Sequence, residues 1–169
     1  MLIPLVLLTS LLAFRALGAL GVHRFRTWQA SAAHGLAVML LFTAGAHFVP
    51  PSVTVMPNSA DMIAMVPPQV PAPEFAVYAT GVLELAGAAG LVLPATRRAA
   101  GWCLAAFFVL IFPANVHAAL NAVPLAGEAA TPLVVRVPEQ VLYIGVALWA
   151  ALPSRAARAA ERDATAVRS

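Results

Sequence analysis

Five apolar stretches dominate the chain: Leu2–Leu20, Ala30–Val49, Phe75–Leu93, Ala99–Leu120 and Val137–Leu152. Each is close to the roughly 20 residues an α-helix needs to cross a ~30 Å hydrocarbon core. The pattern predicts an all-α integral membrane protein with five spans, whose first partner is the lipid bilayer. The first stretch lacks the basic start of a signal peptide, and Arg24 and Arg26 follow it directly, so it is read as a retained helix.

The polar intervals are uneven. Pro50–Pro73 reads PPSVTVMPNSADMIAMVPPQVPAP, too apolar for a solvated linker and too rich in proline for a long helix. Ser59 is placed to cap one short turn, Ala60–Met65. Pro67–Pro73 should be extended, because proline fixes its own φ and restrains its predecessor. This loop is expected to lie in the interface as a lid over the helices. Pro113 predicts a kink in the fourth span, since it leaves the Val109 carbonyl without its helical donor. Pro138 is read as opening the fifth.

Arginine placement gives an orientation. Arg24 and Arg26 follow span one, Arg97 and Arg98 follow span three, and Arg155, Arg158, Arg162 and Arg168 follow span five. The intervening Pro50–Pro73 has none, and Asn121–Arg136 has only Arg136. The positive-inside rule then predicts N-terminus out and C-terminus in, with the two long loops extracytoplasmic.

Composition agrees. Of 169 residues, 62% are hydrophobic and 10% charged, against about 25% charged in soluble domains. All ten basic residues are arginine, which with the abundant alanine points to GC-rich bacterial coding and a bacterial inner membrane. The net charge of +3 comes without a basic stripe interleaved with aromatics, so nucleic acid is set aside. The single cysteine, Cys103, excludes an intramolecular disulfide, a CxxC pair and a multi-thiolate metal site.

Against this apolar background Glu84 stands out. A carboxylate in mid-span costs roughly 2.5–3.5 kcal/mol on insertion scales, and such residues mark sites or buried partners. At ~1.5 Å per helical residue, His47, Tyr78, Asn115, His117 and Gln140 share one shallow outer layer, with Arg136 at its rim and Glu84 one to two turns deeper. That layering predicts a vestibule lined by His47, Tyr78, Asn115, Arg136 and Gln140, with Glu84 as a proton-accepting floor. Asn115 is expected to face inward, continuing the face of Phe108, Ile111 and Phe112. Arg15 either snorkels to the inner surface or pairs with Glu84. His47 and His117 are the only two histidines at one level, too little to assign haem or a metal, and none is assigned. His34 is read as packed. Tyr78, Trp28 and Trp149 also suit interfacial anchoring. The bland alternative for Glu84 is a structural carboxyl bonded to its neighbours.

These residues, in this order, resemble the DoxX-like membrane proteins. The resemblance rests on GAHF at 45–48, MVPPQVPAP at 65–73, VYATGVLELAGAAGLVLPATRR at 77–98, FPANVHAAL at 112–120 and VRVPEQVLYIGVALWA at 135–150. It covers His34 to Ala150. It implies a four-helix bundle made of spans two to five, with span one an addition. The organisation expected is therefore an extra transmembrane helix and cytoplasmic loop over 1–29, a four-helix domain over 30–152 and a basic cytoplasmic tail over 153–169. The motif positions carried over are His47, Pro68, Tyr78, Gly81, Glu84, Arg97, Pro113, Asn115, Arg136 and Gln140. The resemblance implies an accessory subunit of a membrane redox complex, quinone-linked, with a membrane or peripheral redox partner. This chain lacks the cysteine pairs of relatives implicated in thiol chemistry. Two other functions stay open: a non-catalytic scaffold for membrane assembly, and a small-solute or lipid-binding carrier, which a homo-oligomer would suit.

Overall fold

The computed structural model describes residues 2–152, all helix and connections. The order is α1 (Leu2–Ala19), a 3-10 turn (His23–Phe25), α2 (Trp28–Phe48), α3 (Ser59–Met65), α4 (Pro73–Val92), α5 (Arg97–Leu120) and α6 (Leu133–Ala151). All but α3 and the 3-10 turn are long and apolar enough to cross a membrane, five in all. The predicted basic tail, with Arg155, Arg158, Arg162 and Arg168, lies outside the described residues.

The helix ends follow local chemistry. The Thr27 hydroxyl accepts the Ala30 N–H and opens α2. Ala72, at φ 51°, turns the chain into α4, and Pro73 occupies the first helical position, where a missing N–H does no harm. Asn58, not Ser59, caps α3: its side chain accepts the Ala60 and Asp61 N–H groups while Asp61 accepts the Asn58 N–H, a reciprocal capping box. Helix α6 starts at Leu133, four residues before the predicted start, so Pro138 lies inside it.

Helix α2 is the hub, packing on α1, α4 and α6, while α5 packs on α4 and α6. It is alanine-rich, and Ala32, Ala33, Leu36, Leu40 and Ala44 are buried. Small residues set these contacts, as is usual where lipid removes any hydrophobic drive between helices. A Cβ at Gly35 would come within 2.8 Å of the Leu11 backbone nitrogen of α1. A larger residue there would push α1 off its groove.

The two ends of the assembly differ. One carries the short connections, residues 20–27 and 93–96. The other carries the long loops, 49–72 and 121–132. Helix α3 packs on α2, α4 and α5 at the long-loop end and closes it. The His117 Nδ1 bonds to the Met65 carbonyl, and Asp61 Oδ2 accepts the Ala126 N–H, so the two long loops are joined over the helix ends. The expected lid is therefore seated on the protein's own helices.

Candidate functional site: two buried polar sets

Near the long-loop end α2 and α4 share one polar set. On α2, Thr43 and His47 are one turn apart and point the same way. On α4, Val77, Thr80, Gly81 and Glu84 share the facing stripe. Glu84 is 5% exposed. Thr43 Oγ1 lies 2.6 Å from Glu84 Oε2, and His47 Nε2 lies 3.6 Å from Oε1. The His47 Nδ1 is 2.8 Å from the Val77 carbonyl oxygen, with the Thr80 hydroxyl 3.3 Å away.

These contacts constrain the protons. A carbonyl oxygen only accepts, so His47 Nδ1 carries a proton. Nε2 then faces Glu84. At 3.6 Å the Nε2–Oε1 contact is longer than a hydrogen bond, and it suits one further proton on either the imidazole or the carboxyl. Thr43 fits both states. Its hydroxyl is also 3.2 Å from the Leu40 carbonyl oxygen. It donates to Glu84 Oε2 in either case, because the proton shared with His47 lies at Oε1. The set accommodates either proton position without rebuilding.

A second set joins α5 and α6. Arg136 Nε donates to Asn115 Oδ1 at 3.0 Å, its Nη2 donates to the same oxygen, and its Nη1 donates to Glu139 Oε2 at 3.1 Å. Gln140 donates to the Phe108 carbonyl, one residue before the Val109 carbonyl that Pro113 leaves without a helical donor. Asn115, Glu139 and Gln140 are all buried. Residues 136, 139, 140 and 143 share one face of α6, and the Tyr143 hydroxyl on that face has no hydrogen-bond partner among the described residues. A cavity of about 10 Å³, bounded by Met65, Asn115, Arg136 and loop residues, has room for about one water.

The predicted vestibule thus divides. His47 and Glu84 meet on one side, Asn115, Arg136 and Gln140 on the other, and among the described residues no hydrogen bond joins the two sets. Tyr78 belongs to neither; it is 44% exposed, with its ring 6.1 Å from that of Phe48. Asn115 faces inward as expected. Arg15 does not reach Glu84: its guanidinium sits 5.2 Å over the Trp28 ring at the short-turn end. His34 is packed between Phe14 and Phe25. His47 and His117 are tied to different backbone carbonyls, and no cluster of metal-ligating side chains occurs among the described residues. Cys103 is exposed on α5.

Thr43, Thr80 and Glu139 were missed from the sequence. Helical spacing was the available signal: Thr43 lies four residues before His47, Thr80 four before Glu84, and Glu139 three after Arg136.

A family model for a domain of unknown function, DUF8561, matches residues 36–151. The chain belongs to the DUF8561 family. No curated protein and no solved structure matches it. The DUF8561 region starts within α2 and runs through α6. It contains both polar sets entire, while α1, Arg15, Arg24 and His34 precede it.

Proposed function

We propose that this DUF8561 protein is an accessory subunit of a quinone-linked redox complex in the bacterial inner membrane, and that its His47–Glu84 pair holds a proton for that chemistry. The observation that carries this reading is the buried carboxyl–imidazole pair, with a threonine able to serve both of its proton states. The resemblance to DoxX-like proteins supports the redox setting. The same resemblance, with the arginine pattern, supports N-terminus out, C-terminus in, and a four-helix core of α2, α4, α5 and α6 to which α1 is added.

The two polar sets leave little room for a quinone head group, and the larger cavity, about 210 Å³ between α5 and α6, is lined by Val109, Phe112, Val137, Val141 and Ile144 with Gln140 as its one polar side chain. Glu84 and His47 are already bonded within the fold, and the cavity at the long-loop end takes about one water. On this reading electron transfer and head-group binding fall to the partner, and this chain contributes proton handling and assembly. Glu84→Gln in the purified complex tests the reading. Quinone turnover should fall while the complex stays assembled; full turnover would overturn it.

A scaffold role is the second reading. It is favoured by the Arg136–Asn115–Glu139 set, whose members satisfy one another across α5 and α6, as interhelical glue does. Apolar replacements would then lower insertion or partner retention without any chemical phenotype.

A further inference from the structure

Arg24 and Arg97 lie far apart in the chain and converge on one carbonyl oxygen. Arg24 Nη2 donates to Val92 O at 2.9 Å, and Arg97 Nη2 lies 3.5 Å from the same atom. Two cations this close repel unless negative charge sits beside them. The carbonyl, at the C-terminus of α4, offers only partial charge. Among the described residues the ion pairs are His47–Glu84 and Arg136–Glu139, so neither guanidinium has a carboxylate.

The pair is nonetheless built in. His34 is 5% exposed. Its Nδ1 donates to the Ala30 carbonyl at 2.7 Å, leaving Nε2 to accept Arg24 Nε at 3.0 Å. Arg97 Nε is fixed on the Leu91 carbonyl at 2.9 Å. Both guanidinium groups are thus oriented by the fold, and each keeps further N–H donors. Beside them α5 opens without a side-chain cap or an acidic residue, since the Thr96 hydroxyl bonds the Gly90 carbonyl instead.

We infer that this short-turn end binds a phosphate-bearing anion bridged between Arg24 and Arg97. Guanidinium groups pair with phosphate oxygens through parallel N–H donors, and two of them around one phosphate would remove their mutual repulsion. The ends of membrane-length helices are where anionic phospholipid headgroups lie. Inorganic phosphate offers the same chemistry without the acyl chains.

Native mass spectrometry of the full chain, extracted with phosphatidylglycerol or phosphatidylcholine, tests this. Phosphatidylglycerol should be retained several-fold over phosphatidylcholine. Arg24→Gln and Arg97→Gln should each abolish that preference, and Arg97→Lys should keep part of it in a protein that still folds. Arg98→Gln, at an exposed neighbour, should leave it intact. Binding of inorganic phosphate alone, read by phosphorus NMR and lost in Arg24→Gln, would support the site but assign it to the free anion. Two results would overturn the inference. One is no headgroup preference together with no phosphate binding. The other is an equal loss in Arg26→Gln and Arg98→Gln, which would mean a diffuse basic surface.

Discussion

Gly81 of α4 lies directly against His47 of α2: a Cβ at position 81 would come within 2.7 Å of the His47 Cβ. This close approach is what brings the imidazole within 3.6 Å of Glu84, one turn further along α4. Gly81→Ala should therefore separate the helices at the His47–Glu84 pair, at ~1–3 kcal/mol, the usual range for overpacking. Gly45→Ala, where a Cβ meets nothing within 4 Å, should be tolerated. Thermal unfolding in mild detergent distinguishes the two.

Thr43→Val keeps the shape and removes the hydroxyl beside Glu84 Oε2. The loss should be small, ~0.6 kcal/mol on average for such bonds in membranes. The chemical effect should be larger. The Glu84 carboxyl stretch, assigned by its disappearance in Glu84→Gln, should shift in infrared spectra of Thr43→Val and return in Thr43→Ser. An unshifted band would mean that the hydroxyl does not tune the carboxyl.

Arg136→Met leaves Glu139 buried without its cation and Asn115 without its donors. Breaking a buried pair in this way costs ~3–5 kcal/mol in soluble proteins. Adding Glu139→Gln to Arg136→Met should recover part of the loss, because the stranded charge is removed. A double-mutant cycle on denaturation midpoints would read this coupling, and strict additivity would show that the pair contributes little.

Tyr143→Phe should be neutral or slightly stabilising. The hydroxyl is buried without a partner among the described residues, and a group in that state costs stability while ordinary hydrogen-bonded tyrosines contribute it. A clear drop in melting temperature would instead reveal a bound water bridging Tyr143 to its α6 neighbours.

The membrane-length helices were legible because apolar length alone identifies them. Their starts were less so. Pro138 looked like a first residue, yet α6 accommodates it one turn in. Glu84 was legible as the central residue, but its partner was not. Position along a helix axis says nothing about direction around it. Tyr78 precedes Glu84 by six residues, about 120° away around the helix, and so faces outward; Thr80, four residues before, shares the Glu84 face. The hydroxyl of Thr43 was hidden by its apolar neighbours, since threonine scarcely interrupts a hydrophobic run.

The central position of α2 bears on how the chain assembles during synthesis. Its groove for α1 can fill as soon as the first hairpin enters the bilayer, with Gly35 against Leu11. Another part of its surface carries Thr43 and His47, whose companions arrive only with α4. Until then two polar side chains stand in lipid without their native contacts. A variant of Glu84, which removes the acceptor that those side chains meet, is therefore expected to leave a longer-lived, protease-sensitive intermediate in the membrane.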